Sequence, residues 1–472
     1  MPSTVLIVNT NVARPPVSPV GLEYVGESLA AAGLPPAVLD LSFAADWREE
    51  LSSALRQVDP LAIGVTVRNT DDCSFASRRS FLPWIKDVVS EIKQLTEAPV
   101  ILGGAGFSTM PEAALRATEA DAGIRGDGEE ATVALAVCLA NGESYAGVPN
   151  LIYQGNDKTV FNPTVHADPL KYPLPRRRLF DHNRYQQLGG QVGIETKRGC
   201  SEQCIFCADP VAKGNRVRLR PPLNVVRELT DLLDQGVSWF HLCDSEFNLP
   251  LSHAKEVCRA IIDGGLGDRI RWYCYSAPVP FDRELAGLMK RAGCAGVNFG
   301  VDSLCDQQLR RLGRRHATRD VRNLARVMKE QDLNYIIDLL VGGPGETEAT
   351  IRATIEQARQ LDIPLVGVAA GLRVYPGTPL SNAINQGTIS GELYPGADCA
   401  ADEPLFYLSP HLTVESLSLV SELIGDDPRF LSLASPNEEG SYNYADDDAL
   451  AQLIKQGARG AYWDIIRRSR GS

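Results

Sequence analysis

The chain has 472 residues, of which 44% are hydrophobic and 22% charged, the proportions of an ordinary globular protein of two or three domains. Its net charge of −12 argues against nucleic acid or another polyanion as the main partner. No apolar run approaches the roughly 20 residues that a membrane span needs, and residues 1–8 lack a basic leader, so a cytoplasmic protein with reduced cysteines is expected.

Residues 5–9 form a short apolar strand. A Pro-rich loop follows, then residues 21–32, whose apolar spacing suits an amphipathic helix ended by Gly33. Strands at 37–40, 61–67, 100–102 and 122–125 alternate with helices at 47–58, 81–95 and 113–119, a pattern that predicts a parallel, doubly wound sheet. Ligands on such sheets bind beyond the carboxyl ends of the strands. Gly103, Gly104, Gly126 and Gly128 fall at those ends, with Glu129 directly after, where the backbone has to approach a ligand or its phosphate closely. Arg68 follows the third strand at the same edge, with Asn69 and Asp71 beside it. A buried Arg needs an anion or acceptors, and Asp71 or Asp72 would serve if no ligand does.

This block, residues 1–145, resembles the cobalamin-binding domain of many radical S-adenosylmethionine (SAM) enzymes. The likeness lies in residues 19–33, in Leu102-Gly-Gly-Ala-Gly-Phe-Ser-Thr-Met-Pro-Glu112 and in Arg125-Gly-Asp-Gly-Glu-Glu130. The D-x-H-x-x-G motif, whose His ligates cobalt in methionine-synthase-like domains, is absent; before residue 180 the sequence has only His166. Residues 65–72 resemble the corresponding loop of the tryptophan C-methylases of thiopeptide biosynthesis, in which an arginine faces cobalt without bonding to it. The resemblance implies cobalamin contacts for Arg68, Asn69, Asp71, the four glycines and Glu129.

Residues 146–190 read as a connection. Residues 151–153 and 159–161 flank a turn and suit a hairpin, and the basic run Arg176 to Arg178 reads as solvated linker. Residues 191–195 are then a strand feeding Cys200, Cys204 and Cys207 at spacing C-x3-C-x2-C. Three thiolates can hold an iron–sulfur cube with one iron left open. A closed zinc site would want a fourth Cys or His, and the next candidates are His241 and Cys243; ordinary core thiols are the third reading. With Phe206 before the last cysteine, the run resembles the signature of radical SAM enzymes, whose open iron binds the amino and carboxylate groups of SAM.

Strands at 238–243, 270–276, 296–301, 334–341 and 365–374 alternate with helices at 223–235, 252–263, 282–292, 318–331 and 347–360. Six βα repeats fit the partial (β/α)6 barrel of that family, where active groups gather at the strand C-termini. The resemblance gives the SAM ammonium to Asp244 or Glu246, either of which is also placed to reach the open iron. It gives ribose and methionine contacts to Ser276 and Asp302, and adenine to the turn at Gly342 and Gly343. The run from Arg373 through Tyr375 resembles the closing motif of the sixth strand. Arg68 and Glu246 are the catalytic candidates. In residues 380–472, helices are expected at 414–424 and 447–468. Residues 413–422 resemble a helical lid over the barrel mouth, a packing cap being the other reading, and Tyr442, Tyr444 and Trp463 stack on substrate or pack.

The fold class is therefore α/β, with a doubly wound Rossmann-like cobalamin-binding domain (1–145), a linker (146–190), a partial radical SAM barrel (191–379) and a small helical C-terminal domain (380–472). The resemblance implies a methyltransferase that moves methyl from SAM through methylcobalamin to a carbon of a small-molecule or peptide natural product. It implies a [4Fe–4S] cluster, SAM and cobalamin, with an external electron donor of the flavodoxin or ferredoxin type. The usual radical route reaches an unactivated carbon; the likeness at Arg68 implies a polar transfer to a nucleophilic aromatic carbon instead. Non-methylating rearrangement and a non-catalytic sensor remain the alternatives. Methylthiotransferase chemistry is disfavoured, because only Cys73 and Cys138 precede Cys200. Anaerobically reconstituted protein is expected to hold about four irons per chain, as one cube requires, and the C200A/C204A/C207A variant none. Iron retained by that variant, read by quantitation and visible absorbance, would overturn the assignment.

Overall fold

A computed structural model of the chain describes residues 4–156, 158–170, 173–395, 404–432 and 448–470. The first sheet contains β1 (Thr4–Asn9), β2 (Ala37–Asp40), β3 (Pro60–Thr66), β4 (Val100–Gly103), β5 (Ala122–Ile124), β6 (Leu151–Gln154) and β7 (Thr159–Phe161). Its order is β2-β1-β3-β4-β5-β6-β7, with β1 to β5 parallel. Strands covered on both faces read as continuous apolar runs, as in Val5 to Val8, all buried. The chain reverses direction between β1 and β3, which opens a crevice at their carboxyl ends. The hairpin read as part of the connection instead extends this sheet, β6 pairing antiparallel with β5. The helix Glu129–Ala140, which the sequence reading did not mark, packs on the helix Val20–Ala31.

The barrel strands are β8 (Val192–Ile194), β9 (Trp239–Leu242), β10 (Arg271–Ser276), β11 (Cys294–Asp302), β12 (Tyr335–Val341) and β13 (Val366–Ala370). All neighbours are parallel, as expected. A seventh strand, β14 (Phe430–Ser432), joins the open edge beside β13. The run read as one strand over 365–374 breaks at Gly371, whose φ of 72° suits glycine. Leu372 and Arg373 then pair with Phe406–Leu408 in a separate small sheet.

The C-terminal part departs from expectation. The helix Ser418–Ile424 does not close the barrel mouth. It lies on the outer helix Glu348–Gln360, where the Arg359 Nη2 donates to Leu423 O at 2.6 Å. Helices Asp448–Lys455 and Tyr462–Ser469 lie under the opposite, N-terminal end of the barrel. Trp463 is buried edge-on to Tyr273, with ring centroids 5.8 Å apart. Gly296 makes room for it, since a Cβ there would stand 2.4 Å from the indole. Tyr273 donates to Asp464 at 2.7 Å. Trp463 therefore packs at the barrel floor and also lines the cavity of the lumen, while Tyr442 and Tyr444 lie outside the described residues. No helix among the described residues is long and apolar enough to cross a membrane.

Two sets of buried charges bind the first sheet to the barrel. Arg177, in the run read as solvated linker, is fully buried. It donates to Glu228 at 2.5 Å and to Gly193 O at 3.0 Å. Arg220 and the Tyr24 hydroxyl reach the same carboxylate, at 2.7 and 3.1 Å. Nearby, Arg198 binds Glu129 at 2.6 Å, Glu195 at 2.7 Å and Asp127 at 3.2 Å. The linker reading failed because alternate residues of the run face opposite ways: Arg176 and Arg178 are exposed, and only Arg177 meets the carboxylate. Removing one partner of a buried pair strands the other. Arg177→Ala is expected to cost about 3–5 kcal/mol in denaturant unfolding, and Arg176→Ala to leave the curve in place. Equal curves for the two variants would refute the seam.

Candidate active site

A cavity of about 580 Å³ runs from the carboxyl ends of the first sheet into the barrel lumen. Arg68, Gly103, Gly104, Gly126, Gly128 and Glu129 line one side; Glu195, His241, Cys243, Tyr275 and Asn298 line the other. The glycines are there for backbone approach. Gly104 has φ 102°, and a Cβ on it would lie 2.7 Å from Val67 O; one on Gly106 would lie 2.8 Å from the Asn69 backbone. The Gly106 N–H donates to both Val67 O and Arg68 O at 2.9 Å. These contacts press the turn after β4 against the loop that carries Arg68. Gly103 itself faces open space. The N–H of Gly126, which has φ 79°, donates to Ser108 Oγ at 2.9 Å, and Gly128 packs on Val25.

Several expected ligand contacts are instead protein–protein contacts. Asp71 is buried, and its Oδ2 accepts from both Arg373 Nη2 at 2.9 Å and Nε at 3.1 Å, a charge-assisted pair between the Arg68 loop and the short strand that follows β13. Asp72 is taken by Ser77 and by the Ser74 and Arg79 amides. Tyr375 meets Cys73 Sγ at 3.1 Å, with the Arg373 guanidinium 4.5 Å from its ring. Glu129 faces the cavity but holds Arg198. Asn69 contributes its backbone to the Gly106 contact. The first domain thus brings Arg68 and the glycine edges to the cavity, while its Asp71 and Cys73 meet Arg373 and Tyr375 of the barrel part and join the two.

The cluster loop follows β8. Cys200 and Cys204 are buried and Cys207 half-buried. Gly199 allows its turn, with φ 86° and a Cβ position only 2.1 Å from Arg216 O. Burial pushes all three thiols up, Cys204 to about 12, so they stay protonated until a metal displaces the protons. Among the described residues no three His, Cys, Asp or Glu side chains converge on a single ion position. Phe206 packs beside Leu312 and Leu372, with Arg314 5.8 Å from its ring.

Asp244, expected to meet the SAM ammonium, has no capacity left. It accepts from Thr196 N at 2.8 Å, Thr196 Oγ1 at 2.5 Å, Lys197 N at 3.2 Å and Lys197 Nζ at 2.7 Å. Burial would raise it, but the Lys197 ammonium holds its carboxyl below the usual range. It anchors the strand end that feeds the cluster loop. Glu246 is the opposite case. Its Oε2 is buried with no hydrogen-bond partner among the described residues, and Arg314 lies 3.8 Å from its Oε1. Burial pushes it to about 8 against the pull of Arg314. Buried polar atoms are normally paired, so an orphaned carboxylate oxygen beside Cys200 and Cys204 fits a cation or an ammonium.

The other expected SAM contacts are partly occupied. Asp302, with φ 62°, accepts from Arg314. The amides of Gly342 and Gly343 donate to Glu346 at 2.5 and 3.1 Å, and a Cβ on Gly343 would meet Gln308 at 2.4 Å; this turn is closed on itself. Ser276 is buried, 3.7 Å from Cys274 Sγ. The sequence reading missed the lumen itself. Asn298 has a buried Oδ1 without a partner among the described residues. His241 packs edge-on to Tyr275, with ring centroids 5.2 Å apart. Burial, aided by Arg68, lowers its pKa to about 4, so it is neutral. The signal was available: polar His241, Asn298 and Asp338 interrupt strands that are otherwise apolar.

Known proteins match this arrangement. Residues 6–136 fit the B12 binding domain and residues 194–358 the radical SAM superfamily. The chain is 30% identical to a tryptophan 2-C-methyltransferase of Streptomyces laurentii, over 98% of this chain and 95% of that protein. The radical SAM methyltransferase TsrM of Kitasatospora setae, solved with cobalamin and a [4Fe–4S] cluster, superposes with a TM-score of 0.90 at 30% identity, covering 100% of this chain and 99% of that one. Its complex with tryptophan and a SAM analogue gives 0.91 at 32% identity, covering 99% and 100%. With two sheets meeting over one cavity, a three-cysteine loop on one side and likeness along nearly the whole chain, the protein belongs to the cobalamin-dependent radical SAM methyltransferases, which work with cobalamin, a [4Fe–4S] cluster and SAM.

Proposed function

We propose that the chain methylates a carbon of an indole ring, with tryptophan or a tryptophan derivative as substrate. The observation that carries this reading is the likeness, over 98% of the chain, to a tryptophan 2-C-methyltransferase. When bound, SAM supplies the methyl group, cobalamin carries it and the cluster supplies single electrons. The residues of the chain bind and orient. Cys200, Cys204 and Cys207 would hold the cluster, and the orphaned Glu246 carboxylate would take the open iron or the SAM ammonium. Gly103, Gly104, Gly126 and Gly128 would let cobalamin approach the strand ends.

Arg68 would stand where other B12 domains place a histidine. A guanidinium carries charge at any working pH and has no lone pair for a metal, so it would keep ligands off cobalt without becoming one. Tyr275 is 47% exposed within the lumen, and its ring offers a flat substrate an apolar face. Methylation at an aromatic carbon forms one carbon–carbon bond, releases that carbon's proton and leaves S-adenosylhomocysteine.

Incubation with SAM, reductant and tryptophan is expected to give a product heavier by one methylene, without 5′-deoxyadenosine. If tryptophan and simple indole derivatives all return unmethylated, the substrate class is wrong. Arg68→Ala is expected to slow methylation at least tenfold, with Arg68→Lys intermediate. Electron paramagnetic resonance of the Co(II) form should show no nitrogen superhyperfine splitting in the parent protein; such splitting would contradict the role given to Arg68. Asp244→Ala should destabilise the fold by about 3–5 kcal/mol, because Lys197 is left buried and unpaired. Glu246→Gln should leave the unfolding curve in place and alter the cluster spectrum. If the two variants behave alike, the division between anchor and ligand fails.

A further inference from the structure

Glu246 and Arg314 face the inner side of the cluster loop; its outer side has a different character. Between residues 310 and 322 the chain carries Arg310, Arg311, Arg314, Arg315, Arg319 and Arg322, in a protein of net charge −12. Arg314 turns inward to Asp302, and the other five are exposed. The nearby acids are few. Arg315 lies 3.4 Å from Glu202, Arg319 lies 3.8 Å from Asp320, and Asp306 feels both Arg310 and Arg319. Arg311 also acts on the buried Glu346, so five exposed guanidinium groups face four carboxylates, which leaves a positive surplus on an otherwise acidic molecule.

This face is continuous with the cluster loop. Arg315 Nη2 donates to Ser201 O at 3.0 Å, and Ile205 N donates to Leu312 O at 3.1 Å. A Cβ on Gly313 would lie 2.4 Å from Gln203 O. Ser201 and Gln203, between Cys200 and Cys204, are themselves exposed, so the cysteines lie directly behind the surface that the arginines frame.

We infer that the arginine face at 310–322 is the docking surface for a small acidic flavoprotein of the flavodoxin type, which delivers electrons to the cluster; this rests on the reading that the three cysteines hold a [4Fe–4S] cube. The chain as a whole carries a net negative charge, so a local positive face favours both the partner and its orientation. One electron leaves the anionic flavin hydroquinone, giving the neutral semiquinone, and reduces the cluster from the 2+ to the 1+ state. No atom or proton is transferred.

Oxidised flavodoxin titrated calorimetrically into the holoenzyme at low salt is expected to bind at least tenfold more weakly to the Arg310→Glu/Arg319→Glu/Arg322→Glu variant. The salt dependence should flatten, as expected when a charged interface is lost. An equal charge change on the first domain, at the exposed Arg48→Glu/Arg56→Glu/Arg116→Glu, is expected to stay within twofold of the parent. Bleaching of the cluster by reduced flavodoxin should slow in the first variant, while bleaching by titanium(III) citrate does not. Unchanged affinity in the first variant, or equal loss in the second, overturns the docking surface. Failure of titanium(III) to bleach the parent protein would count against the cluster reading, and the titration, which needs no electron transfer, would still decide the docking.

Discussion

A charge taken out of water is costly unless opposite charge meets it. The junction between the first sheet and the barrel is built on that requirement. Arg198 leaves the barrel two residues before Cys200 and is held by Asp127, in the loop after β5, and by Glu129, at the start of the helix that follows. Arg177 and Arg220 share Glu228 with the Tyr24 hydroxyl, and Glu23 accepts from the Phe180 amide at 3.1 Å. Asp71 takes Arg373 on the far side. The Tyr24, Asp127, Glu129 and Asp71 contacts span the two units, and the Arg177 and Glu23 contacts tie each unit to the connecting segment, so parting them would leave desolvated ions. The cavity between them is therefore fixed before any ligand enters, which is what positioning reactive groups demands.

The same network ties the two cofactor walls together. Arg198 touches Glu129, which lines the cavity, and lies in the strand end that starts the cysteine loop. Asp71 lies three residues after Arg68 and is clamped to the short strand that follows β13. The position of Arg68 is thus set partly by the barrel, through Arg373, and partly by its own sheet, through the close approach of Gly104 and Gly106.

Much of this was readable from the chain. Apolar strands alternating with amphipathic helices give both parallel sheets, and three cysteines in a glycine turn give the cluster loop. Local patterns do not reveal partners that are distant in sequence. Asp71 and Arg373 are 302 positions apart, and nothing at either residue says that each is the other's counter-ion rather than a ligand's. Glycine turns are ambiguous in the same way. Gly103 opens onto the cavity, whereas Gly342 and Gly343 close on Glu346, yet as sequence the two Gly-Gly pairs look alike. Asp244 and Glu246 likewise share a loop, and only the donors around Asp244 separate anchor from free carboxylate.

The paired charges at the junction also bear on how such enzymes can be recombined. A B12-binding sheet taken from another member would arrive with its own acids, facing barrel arginines that need Asp71, Asp127 and Glu129 at their present positions. Arg177, contributed by the connecting segment and buried against Glu228 of the barrel, belongs to neither half alone. The unit of exchange is consequently not the domain but the domain with its share of the seam, and a chimaera that cuts between them would inherit two incompatible half-sets of charge.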